Sequence, residues 1–204
     1  MQSTYHIPVL LHEVIDSLQI RPDGVYVDCT FGGGGHAHAI LEQLGPKGKL
    51  IAFDQDADAQ QNLPKDERLI FVPQNFRFVK NWIQLHGYQQ VDGILADLGV
   101  SSHQFDTAER GFSIRMEGPL DMRMNSKSSL TAYQVVNEYS VSDLTRLFRL
   151  YGEVEKPHVA ARQIIESRPI STTQDLIHAL IGNEEWKNHH QFLAKVFQSI
   201  RIEV

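Results

Sequence analysis

Three short apolar runs, at residues 24–30, 49–54 and 91–97, organise the first half of the chain, and each leads into polar or glycine-rich residues. A weaker run lies at 68–73. All are brief and rich in β-branched and aromatic residues, which favours strands over helices. Their apolar residues are near-continuous instead of alternating, the pattern of parallel strands covered on both faces. Helix-length stretches separate them at 36–44, 57–63 and 76–86, and Gly45-Pro46 reads as a stop for the first. The alternation predicts an α/β fold with an open, parallel, Rossmann-like sheet and right-handed crossovers.

Near residue 98 the pattern changes. A segment rich in glycine, serine and charge runs to about residue 129 and reads as a loop. Helical patterns follow at 131–138, 141–151, 156–166, 173–181 and from 191 onward, with Ser142-Asp143 and Ser171-Thr172-Thr173 as N-cap signals. No strand candidate follows Asp97, so this part reads as a helical lobe.

Composition narrows the picture. The 204 residues, 42% hydrophobic and 22% charged, suffice for one sizeable core and a small second lobe. No apolar run approaches the roughly 20 residues that cross a bilayer, and residues 1–6 lack the basic and apolar regions of a secretory signal. The single cysteine, Cys29, lies in an apolar segment and reads as a buried, reduced thiol in a cytoplasmic protein. A net charge of −6 argues against a generic nucleic-acid coat, though an RNA-modifying enzyme needs only a local basic surface.

The strongest local signal is Val27-Asp28-Cys29-Thr30-Phe31-Gly32-Gly33-Gly34-Gly35-His36, which leaves a strand and opens a helix. Glycines allow a tight turn and close approach of a ligand to the free amides of the helix start. Such a turn alone could serve NAD, FAD, S-adenosylmethionine or no ligand at all. The next run ends in Asp54-Gln55-Asp56, about 20 residues on, where an acid accepts from ribose hydroxyls. Asp54 is the expected ribose ligand and Asp56 an N-cap. Asp97 ends the fourth run; if strands one and four are neighbours, Asp28, the glycines, Asp54 and Asp97 converge on one crevice. His36 and His38 are spaced i, i+2 and make a poor chelate, and no zinc spacing occurs, so no metal is expected. Phosphate-loop and hydrolase-elbow motifs are absent from the sequence.

Several segments together resemble one family: 6–11, 28–36, then 92–106 (Asp-Gly-Ile-Leu-Ala-Asp-Leu-Gly-Val-Ser-Ser-His-Gln-Phe-Asp), 108–113, 118–124, 151–153 and 197–202. The chain resembles the N-terminal two-thirds of the bacterial 16S ribosomal RNA cytosine-N4 methyltransferase family. That resemblance implies a class I methyltransferase sheet with an inserted α-helical lobe, S-adenosylmethionine as cofactor, and a decoding-region cytidine of the small ribosomal subunit as target. It divides the chain into a cofactor-binding part at 1–105 and the loop and helical lobe at 106–204. Carried over by motif, Gly34, Gly35 and His36 contact the cofactor, Asp54 holds its ribose, Phe76 lies near the adenine, and Asp97 and Gln104 complete the site. Phe76 and Gln104 rest on resemblance alone.

The sulfonium is already an activated methyl donor, so alignment of the amine is the main task. Asp97, and the backbone at Leu98-Gly99, are the candidates to accept from the cytosine amine. The Asn/Asp-Pro-Pro-aromatic element of many amino-methyltransferases is replaced here by Asp97-Leu98-Gly99-Val100. Arg110, Arg115, Arg123 and Lys127 have two readings, RNA phosphate contacts or salt bridges with Glu109, Glu117 and Asp121. Family members continue beyond Val204 with later strands, so a truncated chain with an exposed apolar strand edge is expected, its activity open and self-association (a dimer) one consequence. The alternative function is a catalytically dead fragment that keeps the cofactor pocket or an RNA surface. An NAD-dependent dehydrogenase is a distant third.

Overall fold

The computed structural model describes residues 8–204; His6 and Ile7 of the first family-like segment lie outside the described residues. Contacts divide the chain into two units, Met1–Ser101 and Ser102–Val204.

The first unit carries a parallel sheet of β1 (Val25–Asp28), β2 (Lys49–Phe53), β3 (Leu69–Val72) and β4 (Gly93–Leu95), in the order β3-β2-β1-β4. Side chains alternate between its faces as the pleat requires. Tyr26, Leu50 and Ala52 pack with Ile15 of α1 (Leu11–Leu18) and Ile40 and Leu41 of α2 (Gly35–Gln43). Val27, Ile51, Phe53 and Val72 pack on the other face with Val79, Trp82 and Ile83 of α3 (Val79–Leu85). Both faces are covered, which is why the runs are apolar throughout. β4 lies at the sheet edge and Ile94 is 54% exposed there.

Local chemistry moves several expected boundaries. The stretch expected as a helix at 57–63 is a 3₁₀ helix, Ala57–Asn62, ended by extended Leu63 before Pro64, where a proline disfavours the helical region in its predecessor. The stretch at 76–86 opens as a 3₁₀ turn, Phe76–Phe78, and becomes α3 only from Val79. α2 ends at Gln43 through an extended Leu44 instead of a left-handed glycine; Gly45 donates to the Pro22 carbonyl at 2.7 Å. α1 was not signalled by the pattern.

The second unit is helical: α4 (Ser102–Asp106), a 3₁₀ turn at Ala108–Arg110, α5 (Ala132–Glu138), α6 (Val141–Gly152), α7 (Pro157–Glu166), α8 (Thr173–Ile181), a 3₁₀ turn at Trp186–His189 and α9 (His190–Glu203). α4 and the first 3₁₀ turn fall where a loop was expected. α6 packs on α7 and α9. Its buried Leu144, Leu147 and Phe148, and Leu193, Val196, Phe197 and Ile200 of α9, recur at three- and four-residue spacing. α6 is capped by Ser140, which accepts from the Asp143 amide, two residues earlier than the Ser142-Asp143 signal. Thr172 and Asp175 form a capping box at α8. The segment before α5 is pinned to this cap: Thr173 N donates to Gly118 O at 2.9 Å, and Thr173 Oγ1 to Met116 O at 3.0 Å.

α6 and α9 come close at Gly152, where an added Cβ would lie 2.2 Å from Ser199 Oγ and 2.5 Å from the Lys195 carbonyl. Gly152→Ala therefore forces the helices apart. Urea titration should show a loss of about 1–3 kcal/mol, whereas a stability within 0.5 kcal/mol of wild type, the range of an ordinary surface change, would contradict this packing.

Candidate functional site: an acidic crevice at the switch point

Strand order reverses between β1 and β4, so the ends of these strands open a crevice where open α/β sheets bind ligands. Strand one pairs with strand four from Tyr26↔Gly93 to Asp28↔Leu95, the condition for Asp28, Asp54 and Asp97 to converge.

The glycine turn folds back on the sheet. Phe31 N donates to Phe53 O at 2.9 Å and Gly34 N to Phe31 O at 2.7 Å. Gly34 has φ +79°, and a Cβ there would lie 2.9 Å from the Phe31 ring, so both conformation and space call for glycine. Gly34 is the N-cap of α2 and gives it no side-chain cap, and Gly35 begins the helix. Asp54 holds this turn: Oδ2 accepts from Gly32 N at 2.7 Å and Oδ1 from Asp56 N at 2.8 Å. The Gln55 amide also contributes; a carboxylate has about four acceptor positions, so capacity for a ligand hydroxyl remains. Asp56 caps the following 3₁₀ helix by accepting from Asp58 N at 3.1 Å, as its position in the sequence suggested.

The remaining strand ends are tied in. Asp97 N donates to Thr30 Oγ1 at 2.8 Å and leaves its carboxylate exposed. Asn75 Nδ2 donates to Gln55 Oε1 at 3.1 Å, which sets the β3 connection beside that of β2 and leaves the following Phe76 38% exposed.

Asp28 lies beneath the turn, fully buried. Its Oδ1 accepts from Thr30 N at 2.9 Å, but Oδ2 has no partner. His36 Nε2, on the other flank of the turn, is the second buried side-chain polar atom without a partner among the described residues. Burial, reinforced by the carboxylates of Asp54 and Asp97 against two bonds from Thr30, pushes the Asp28 carboxyl up to about 6. Burial also raises Asp54, against the amides that bind it. Cys29 is buried and pushed up to about 11 by burial and then by Asp28, which makes it an unreactive thiol at neutral pH. Three acids around a glycine turn suit a cationic nucleoside: the acids attract its charge and the turn admits its bulk.

Other predicted residues fall outside this unit. Gln104 is buried in α4. Arg123 is engaged locally: Nε and Nη2 grip Asp121 at 3.0 and 2.7 Å, and Nη1 donates to the carbonyls of Ser126 and Ser128. Arg110 Nη2 donates to the carbonyls of Arg123 and Met124. The side chains of Arg115 and Lys127 are exposed. Asp28 entered the sequence reading only as a convergent acid; its orphan oxygen depends on burial that no motif displays.

Fold and crevice define a Rossmann-like α/β protein with a glycine turn and three acids at the strand ends. The chain matches the MraW methylase family over residues 3–204 and belongs to it. It is 56% identical to a protein of Flavobacterium johnsoniae named ribosomal RNA small subunit methyltransferase H, over 98% of this chain and 67% of that one. Proteins of the same name from Flavobacterium psychrophilum and Bacteroides thetaiotaomicron are 52% and 49% identical, over 96% and 98% of this chain and 68% and 67% of theirs. The chain thus spans about two thirds of the length of the curated relatives it matches. A putative methyltransferase from an antibiotic biosynthesis pathway of Anabaena variabilis overlaps 71% of this chain and 55% of its own at a TM-score of 0.35 and 15% identity, too slight a likeness to bear on the site.

The raised Asp28 gives a signed pH dependence. A carboxyl that binds its proton more tightly when folded supports stability below pH 4, and that support is lost as pH rises through about 6. Ionising it in place costs about 3 kcal/mol. Asp28→Asn keeps an acceptor for Thr30 N and should flatten this slope, raising the melting temperature of ligand-free protein at pH 7. Thermal melts from pH 4 to 7 that are parallel for both proteins would contradict the assignment.

Proposed function

We propose that this protein transfers a methyl group from S-adenosylmethionine to the N4 amine of a cytidine in 16S ribosomal RNA of the small subunit. One observation carries the cofactor: the orphaned, buried Oδ2 of Asp28 beneath a glycine turn, flanked by Asp54 and Asp97. S-adenosylmethionine brings a sulfonium and an ammonium, and so relieves the mutual repulsion of these acids. The pyrophosphate of a dinucleotide would add to it, which disfavours the dehydrogenase reading. The printed name of the relatives supports the RNA substrate.

Each residue has a defined task in this reading. Asp54 accepts from the ribose hydroxyls while it holds the turn. Gly34 and Gly35 admit the cofactor close to the backbone, and Phe76 offers an exposed ring to the adenine. His36 Nε2 has an open hydrogen-bonding position at the helix start. The bound cofactor supplies an electrophilic methyl group, so no covalent enzyme intermediate or metal is needed. Asp97 accepts a hydrogen bond from the cytosine amine, turns its nitrogen toward that methyl group, and takes up the proton that the nitrogen sheds on methylation. Arg115 and Lys127 carry exposed charge suited to RNA phosphates, and Arg110 and Arg123 order the segment that bears them. A ribosomal RNA substrate fits a cytoplasmic protein. No helix among the described residues is long and apolar enough to cross a membrane.

Calorimetry with S-adenosylmethionine, with NADH as control, should show saturable binding of the former alone. Asp97→Asn leaves the Asp97 N to Thr30 bond intact and should lower methyl transfer on the order of a hundredfold. Transfer unchanged in this variant would remove Asp97 from the mechanism, and binding of NADH would overturn the cofactor.

A further inference from the structure

The helical unit holds a cleft of about 670 Å³ that none of the site residues lines. Lys156 comes from the α6–α7 connection, Lys187 from the 3₁₀ turn before α9, and Lys195 from α9 itself. Glu155 is the acidic residue among its walls, so three lysines face one carboxylate. The neighbouring Glu184 is paired with His189 at 2.5 Å. In a chain of net charge −6, the lining itself carries more lysines than carboxylates, with the exposed Glu153, Glu184 and Glu185 beside it along the chain.

We propose that this cleft binds the phosphodiester backbone of an RNA strand, a contact that anchors the substrate apart from the reacting cytidine. The proposal rests on the RNA substrate proposed above. Lysine heads act as mobile point charges, whereas a fixed guanidinium fork would select one phosphate or carboxylate in one orientation. Three such heads on three separate elements suit a run of phosphates. Lys195 is steadied by donating to the Glu153 carbonyl at 3.1 Å, while Lys156 and Lys187 are exposed. Val159, 40% exposed, and half-buried Phe192 give the walls apolar surface on which sugars and bases can rest. The contact reads charge and shape, not base sequence.

The test uses the 204-residue chain, a fluorescent 16S ribosomal RNA fragment and an unrelated RNA of equal length, across a range of salt. Lys156→Gln with Lys187→Gln should weaken both RNAs alike, roughly 10- to 30-fold near 0.1 M salt, and lower the log–log salt slope by about 1.4. Lys47→Gln with Lys65→Gln removes the same charge from exposed positions in the first unit and should leave both quantities unchanged. Unchanged far-ultraviolet circular dichroism and urea midpoints in either variant check that both units still fold, and S-adenosylmethionine affinity should not move. Cleft variants that bind RNA like wild type overturn the cleft and leave the proposed reaction standing. A wild-type chain that binds S-adenosylmethionine but neither RNA overturns the cleft and the RNA substrate together. An effect on the ribosomal fragment alone overturns the sequence-blind contact.

Discussion

A carboxylate shut away from water beneath a backbone turn is the constraint on which the crevice depends. Asp28 ends a strand whose two neighbours also end in loops bearing acids, so the sheet itself brings three like charges together. Such an arrangement is costly in the absence of a positive partner. One oxygen of Asp28 is satisfied by Thr30, and Thr30 in turn receives the amide of Asp97. Asp54 binds the turn from the other side. The acids that repel one another are thus also the groups that fix the loops, and these bonds leave the charge of the site unbalanced.

This coupling explains why the glycines matter as geometry. Phe31 folds back onto β2, and Gly34 leaves room for its ring while starting α2. A side chain at that position would push on the aromatic ring and shift the amides of the helix start. The turn, Asp54 and Asp28 therefore form one mechanical unit, in which a change at one residue is felt at the others.

Much of this was legible in the sequence. Strand runs at 24–30, 49–54, 68–73 and 91–97 each contain an observed strand, because a parallel sheet covered on both faces leaves an unbroken apolar signature. The helices of the second unit were visible from their three- and four-residue spacing. Short elements were not: α4 and the 3₁₀ turns are too brief to show a period, and α1 lay in a stretch without a clear signal. The segment at 98–129 looked like a loop from its glycines and charges, yet Arg123 and Thr173 hold parts of it through backbone carbonyls, which depend on tertiary position. Likewise, the motif displayed Asp54 and Asp97, while the orphaned oxygen of Asp28 emerged only from burial.

In the proposed function the crevice is an acidic receptor for a cationic cofactor. It is tested most directly by calorimetry of S-adenosylmethionine binding at pH 6 in buffers of different ionisation enthalpy. A cation that settles beside Asp28 lowers its affinity for the proton, so binding should release up to roughly half a proton at this pH, and Asp28→Asn should abolish the release. Binding with no proton released, or a release unchanged in Asp28→Asn, would contradict the account.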